Sequence, residues 1–149
     1  MKLSVEQVAT LDDIHVLVRF ARRSFTLSRL LAAIRGLDEK IEAQDGRRVV
    51  LLDVVGIYYF ESVDKQTFSY CEHEVHKIPL RLYEVKEKLQ RYGFVQVSKS
   101  CLLNMNMLES VRNVGNSKMV AELSNGEQVI ISRRYIPELK AAMKTGSTQ

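Results

Sequence analysis

The sequence predicts an α+β chain in which a small strand-helix extension precedes a β-rich domain with short helices. Three observations carry that prediction. Apolar residues recur every three or four positions from Leu27 to Ile41, whereas from about Arg47 onward they fall into short runs of extended type. Turn signals, Asp64-Lys65 and Ser124-Asn125-Gly126 among them, separate those runs. A single strong helical stripe, opened by Pro79 and stopped by Gly93, interrupts the series.

Taken in order, Val16, Val18 and Phe20 alternate with Leu17 and Arg19, which predicts a strand over Ile14–Phe20. Leu27, Leu30, Leu31, Ile34, Leu37 and Ile41 then line one side of a helix that Ser24 or Thr26 can cap. Gly36 weakens the middle of that helix or permits a close contact. Glu42 to Arg48, with Asp45-Gly46, reads as a turn or linker. This places the domain boundary between an extension, residues 1–45, and a second domain, residues 46–149.

Beyond the boundary, strands are expected at Arg47–Leu52, Gly56–Ser62, Thr67–Glu72 and Glu74–Ile78, with a hairpin turn at Asp64-Lys65. Leu82, Val85, Leu89 and Tyr92 share the buried side of the helix that follows Pro79. Phe94, Val95 and Val97 begin another strand, while Leu102 to Val111 has no clean period. Met119–Leu123 and Val129–Ile131 flank the last hairpin, and a helix over Arg134–Met143 closes the chain.

Composition fits a folded domain: of 149 residues, 46% are hydrophobic and 27% charged. The longest apolar stretch, Val49 to Phe60, is broken by Asp53 and is too short to span a membrane, and Glu6, Asp12 and Asp13 follow the N-terminus where a signal peptide would be apolar. A cytoplasmic location is expected. Cys71 and Cys101 lack any paired spacing and are expected as reduced thiols. Charge is distributed unevenly. The first 45 residues hold seven basic and seven acidic side chains, so the net charge of +4 resides entirely in the remainder. A basic domain favours anionic partners, although a surplus of this size also serves solubility.

Enzyme signatures are missing. The sequence has no phosphate-binding G-x-x-x-x-G-K-[ST] loop, no G-x-G-x-x-G turn and no G-x-S-x-G elbow. Cys71, Glu72, His73, Glu74 and His76 lack the H-E-x-x-H spacing, and on a strand His76 points away from Cys71 and His73. Glu61 and Asp64 read as turn carboxylates. No metal, cofactor, small-molecule substrate or enzymatic activity is expected.

The specific signal is distributed over four segments: Ile57-Tyr58-Tyr59-Phe60-Glu61-Ser62, the helix Leu80 to Leu89, the run Phe94 to Asn104, and Val129-Ile130-Ile131-Ser132-Arg133-Arg134-Tyr135. In order and spacing they resemble the LytTR-type DNA-binding domain over roughly Arg47 to Lys144. That family carries I-x-Y-x-E-S, an L-x-x-L-E-x-x-L helix, F-x-R-x-H-x-S-x-[IV]-V-N and a terminal [IV]-S-R-x-Y. Here Gln96 stands where an Arg is usual and Ser98 where a His is common.

The resemblance implies a bacterial transcription regulator whose loops and strand ends enter successive major grooves of double-stranded DNA without a recognition helix. It implies three contact clusters: Lys65, Gln66 and Thr67; Ser98, Lys99 and Ser100; and Ser132, Arg133 and Arg134. The chemistry of these side chains agrees, since Lys and Arg neutralise phosphate or donate to guanine, Gln pairs with adenine and hydroxyls bind phosphate oxygens. Within the Ser132–Tyr135 segment, extended neighbours point to opposite sides, which gives Arg133 and Arg134 different roles. The extension is too short for a doubly wound receiver domain. Its helix is expected to pack on the body, to form a homodimer, or to accept a small membrane-protein inhibitor of the kind that controls stand-alone regulators of this type. A rival reading from another class is a protein-interaction module that adds strands to a partner's sheet edge.

Overall fold

A computed structural model describes residues 1–145. Residues 14–20, expected as a strand, belong to no strand or helix, and Val16, Leu17 and Phe20 are exposed. The alternation is present, but a strand also needs a neighbour for its backbone groups. Helix α1 (Phe25–Gly36) follows, its first turn capped by the Ser24 hydroxyl, which accepts from the Leu27 N–H at 3.1 Å. Leu27 and Ala32 are buried as α1 packs on the body.

The helix stops at Gly36, five residues short of the expected end at Ile41. Gly36 sits against Val55 and Tyr92, the close approach that a glycine permits. Ile41 belongs instead to β1 (Lys40–Asp45), where it and Ala43 face the core at alternate positions. The expected linker over residues 42–48 is accordingly a hairpin: β1 turns through Gly46, at φ +61°, into β2 (Arg48–Asp53). A residue spacing of four between Leu37 and Ile41 suits a helix, but the period-two pair Ile41 and Ala43 decides the matter.

The remaining strands are β3 (Tyr59–Val63), β4 (Gln66–Tyr70), β5 (Val75–Ile78), β6 (Phe94–Ser98) and β7 (Cys101–Asn104), which join the first two in a seven-stranded sheet of order β2-β1-β5-β4-β3-β7-β6. Neighbouring strands in this sheet pair antiparallel. Strands β8 (Leu108–Gly115), β9 (Lys118–Leu123) and β10 (Gln128–Ile131) form a second sheet of order β10-β9-β8. Helix α2 (Leu82–Leu89) continues into a 3-10 turn over Gln90–Tyr92 and ends at Gly93, at φ +94°. Helix α3 (Ile136–Thr145) closes the described chain.

At β3, β7 and β6 the large sheet is buried on both faces. Phe60, Phe94 and Leu102 point toward Val85 and Leu89 of α2, while Val95, Val97 and Leu103 point toward the small sheet and α3, where Ala121, Ile131 and Leu139 receive them. Strands buried on both faces lose polar alternation, which is why Leu102 onward shows no clean period. Asn104 is buried at the end of β7; its Nδ2 donates to the Ile57 carbonyl at 2.8 Å and its Oδ1 accepts from the Asn106 N–H at 3.0 Å. No helix of the described residues is long and apolar enough to cross a membrane.

Candidate nucleic-acid interface

The order of the large sheet places the ends of β3, β6 and β7 side by side. The β3–β4 turn holds Asp64 and Lys65, both at positive φ (51° and 64°), the geometry of a tight two-residue hairpin. The β6–β7 turn holds Lys99 and Ser100, next to a register shift between Gln96 and Ser98 that bends the strand end. Antiparallel pairing of Glu61 with Cys101 puts both turns at one end of the sheet. There the Ser62 N–H donates to the Ser100 carbonyl at 2.8 Å.

The third cluster reaches the same end, where the Ser132 N–H donates to the Val97 carbonyl at 2.9 Å, and Ile131 just before it packs with Val97 on the face opposite α2. Arg133 to Tyr135 form a 3-10 turn ahead of α3. The expected extended geometry is thereby corrected: with three residues per turn, Arg133 and Arg134 point about 120° apart rather than to opposite sides. They still diverge.

Eight of the nine expected contact residues lie exposed or half-exposed along this edge: Lys65, Gln66, Ser98, Lys99, Ser100, Ser132, Arg133 and Arg134. Thr67 differs. It is 1% exposed on the α2 side of β4, with its hydroxyl lacking a partner, so the structure does not bring it to the surface with Lys65 and Gln66. Period two explains the outcome, since Gln66 outward requires Thr67 inward. Among the described residues, Lys65, Lys99, Arg133 and Arg134 take part in no ion pair, so their charges face solvent.

Behind the turns the chemistry is inert. Burial, followed by the Glu61 carboxylate, pushes the Cys101 thiol up to about 12, and burial likewise raises Cys71. Glu61 accepts from the Tyr70 hydroxyl at 3.3 Å, and the Tyr70 ring stacks on Tyr59 with centroids 4.4 Å apart. Among the described residues no three His, Cys, Asp or Glu side chains gather as a metal site.

Sequence reasoning missed a further set of basic residues. Arg81 and Lys86 of the α2 segment line a groove with Lys65 and Lys99, and Arg81 Nη1 donates to the Lys65 carbonyl at 3.2 Å. Their signal, Arg and Lys five positions apart beside an apolar stripe, looks in sequence like the wet side of a helix.

Exposed cations gathered on adjoining turns at one end of a sheet are the electrostatic footprint of a nucleic-acid-binding protein. The model of the LytTr DNA-binding domain matches residues 47–144. A LytTr DNA-binding domain of a putative methyl-accepting/DNA response regulator from Bacillus cereus has the same fold, with a TM-score of 0.65 at 19% identity over 70% of this chain and 95% of that one. The sensory transduction protein LytT of Enterococcus faecalis is 26% identical over 102 residues, 68% of this chain and 42% of LytT. An HTH-type transcriptional regulator of Staphylococcus aureus is 21% identical over 142 residues, 94% of this chain and 96% of that protein. The chain thus spans less than half of LytT but nearly all of the staphylococcal relative. It belongs to the LytTr DNA-binding domain family and is a DNA-binding transcription regulator. Although that relative's name contains "HTH-type", α2 and α3 here are separated by five strands and form no helix-turn-helix.

Proposed function

We propose that this regulator reads double-stranded DNA by inserting the turns at one end of its large sheet into successive major grooves. The observation that supports the reading is the pair of backbone bonds, Ser62 N–H to Ser100 O and Ser132 N–H to Val97 O, which join three basic and hydroxyl-rich clusters distant in sequence. Tied in this way, the clusters need little ordering on binding, which favours a defined register on the duplex. Lys65, Gln66, Ser98, Lys99, Ser100, Ser132, Arg133 and Arg134 make the contacts, and Thr67 supports its turn from within. Arg134 reads a base, and Arg133 holds the backbone.

A cognate site is first selected from a randomised duplex pool. Arg134→Ala then loses affinity chiefly for the cognate duplex, by about 1 to 3 kcal/mol, as expected when a bidentate guanidinium contact is removed. Arg133→Ala weakens cognate and scrambled duplexes by similar factors and lowers the salt slope by about one contact. Circular dichroism first establishes that both variants fold. Full sequence discrimination by the Arg134 variant sinks the assignment, and binding by β-edge addition would leave both variants equally indifferent to DNA.

The active species in this reading is a homodimer. Leu3, Val5, Ile14 and Leu17 lie exposed ahead of α1, and Val49 and Leu51 lie exposed on the edge strand β2, which favours association of two copies there. A membrane-protein inhibitor would act through the same apolar segment.

A further inference from the structure

We propose that the groove between α2 and the end of the large sheet is a clamp for the DNA phosphodiester backbone, an inference that rests on the DNA-reading edge proposed above. The groove has a volume of about 550 Å³. Lys65, Arg81, Lys86 and Lys99 line it together with Ser62 and Tyr83, and among the described residues no Asp or Glu does. Lys86 is partly compensated, donating to Gln96 Oε1 at 3.1 Å and lying 3.7 Å from Glu138. The other three cations form no ion pair among the described residues. Several positive charges around one concavity repel one another and raise the local concentration of an anion.

The shape of the site selects a polyanion over a small one. Lys65 and Lys99 belong at once to the groove and to the two projecting turns, so a ligand continuous from turn to groove engages all of them. Period-two geometry fixes the placement. Ser62, Gln96 and Leu102 share the α2 side of the sheet with Phe60 and Phe94, whereas Val97 faces the other way, into the core cluster that holds Ile131, the residue before Ser132. The α2 groove and the Ser132–Arg134 cluster therefore flank the Lys99 turn on opposite sides. A turn seated in a major groove about 12 Å wide has a sugar-phosphate strand on each side, and this arrangement offers cations to both. Arg81 suits phosphate binding because its bond to the Lys65 carbonyl orients the guanidinium and leaves further N–H groups for phosphate oxygens.

The test is a salt titration of Arg81→Ala, Arg81→Lys and Tyr83→Phe with the full chain, using cognate and scrambled duplexes. Arg81→Ala is expected to weaken both duplexes by the same factor, about tenfold, and to reduce the log–log salt slope by about 0.9. Arg81→Lys restores the slope, because it keeps the charge. Tyr83→Phe, which leaves every internal contact of Arg81 in place, weakens both duplexes about twofold to fivefold with little change of slope. The base preference obtained by selection stays that of the parent protein in all three. An unchanged slope and affinity in Arg81→Ala overturns the clamp, as does binding of inorganic pyrophosphate in the groove that depends on Arg81 while duplex binding does not. If Arg134→Ala still loses discrimination in that case, the reading edge stands and only the clamp falls; if it does not, the edge itself has failed.

Discussion

At the scale of single residues, the edge combines exposed cations with a buried thiol behind them. Cys101 opens β7 directly behind the Lys99-Ser100 turn and is 3% exposed. Its thiol, pushed up to about 12 by burial and then by the Glu61 carboxylate, is held in the protonated form, which slows attack by or on the sulfur in the native fold. Because folding raises this thiol, its contribution to stability is complete below the unfolded thiol value of about 8.5 and is lost as pH rises from there toward 12. In native protein at pH 8, a thiol-disulfide reagent is expected to label Cys101 only at the rate of unfolding, with Cys71, half-buried, reacting first. Rapid native labelling of Cys101 would contradict its burial. Asn104 makes the complementary point about polar groups. Asn104→Leu leaves the Ile57 carbonyl and the Asn106 N–H without their partners, an expected loss of about 2 to 4 kcal/mol in urea unfolding, whereas the equally polar but exposed Gln66 can become Ala at almost no cost.

At the scale of elements, legibility in the sequence depended on how many constraints acted locally. Helix α2 was legible because Pro79, the Leu82-Val85-Leu89 stripe and Gly93 all speak for the same element, and the β3–β4 and β9–β10 hairpins because their turns carry their own chemistry. The end of α1 was not legible, since Leu37 and Ile41 happen to fit a helical stripe that tertiary pairing of β1 with β2 and β5 overrides. The contact edge was legible through family resemblance and side-chain chemistry, but Thr67 needed the register of β4 to be placed inside. The α2 groove was illegible because it exists only where a helix and a sheet end meet. Gly93 is the junction whose failure would show most clearly. A side chain there meets Ala32 at 3.1 Å and must hold φ +94°, so Gly93→Ala is expected to cost about 1 to 3 kcal/mol and to loosen α1 from the 3-10 turn over Gln90–Tyr92. Thermal unfolding checks this, and an unchanged midpoint would mean that the turn relaxes at no cost.

At the scale of the whole molecule, the exposed apolar surface is concentrated away from the reading edge, in the N-terminal segment and on the open edge at β2. An uncovered edge strand with Val49 and Leu51 outward is a template for pairing, and Ile14–Phe20 has the alternation of a strand that lacks a neighbour. Among the described residues neither segment has a further ladder neighbour. Charge also favours the match: residues 14–23 carry Arg19, Arg22 and Arg23 with no acid, while residues 38–53, which hold β1 and β2, carry five acidic and three basic side chains. A symmetric exchange of segments between two copies would satisfy both edges at once and leave two reading edges on one particle. Deleting residues 1–20 keeps the Ser24 cap, α1 and every strand, so the truncated protein should fold with the parent's circular dichroism. It is expected to sediment as a monomer, to bind a single site as the parent does, and to lose about 10²-fold on a two-site operator, where the parent gains from tethering its second edge. Equal mass in solution and equal affinity for the two-site duplex would show that the segment contributes nothing to assembly.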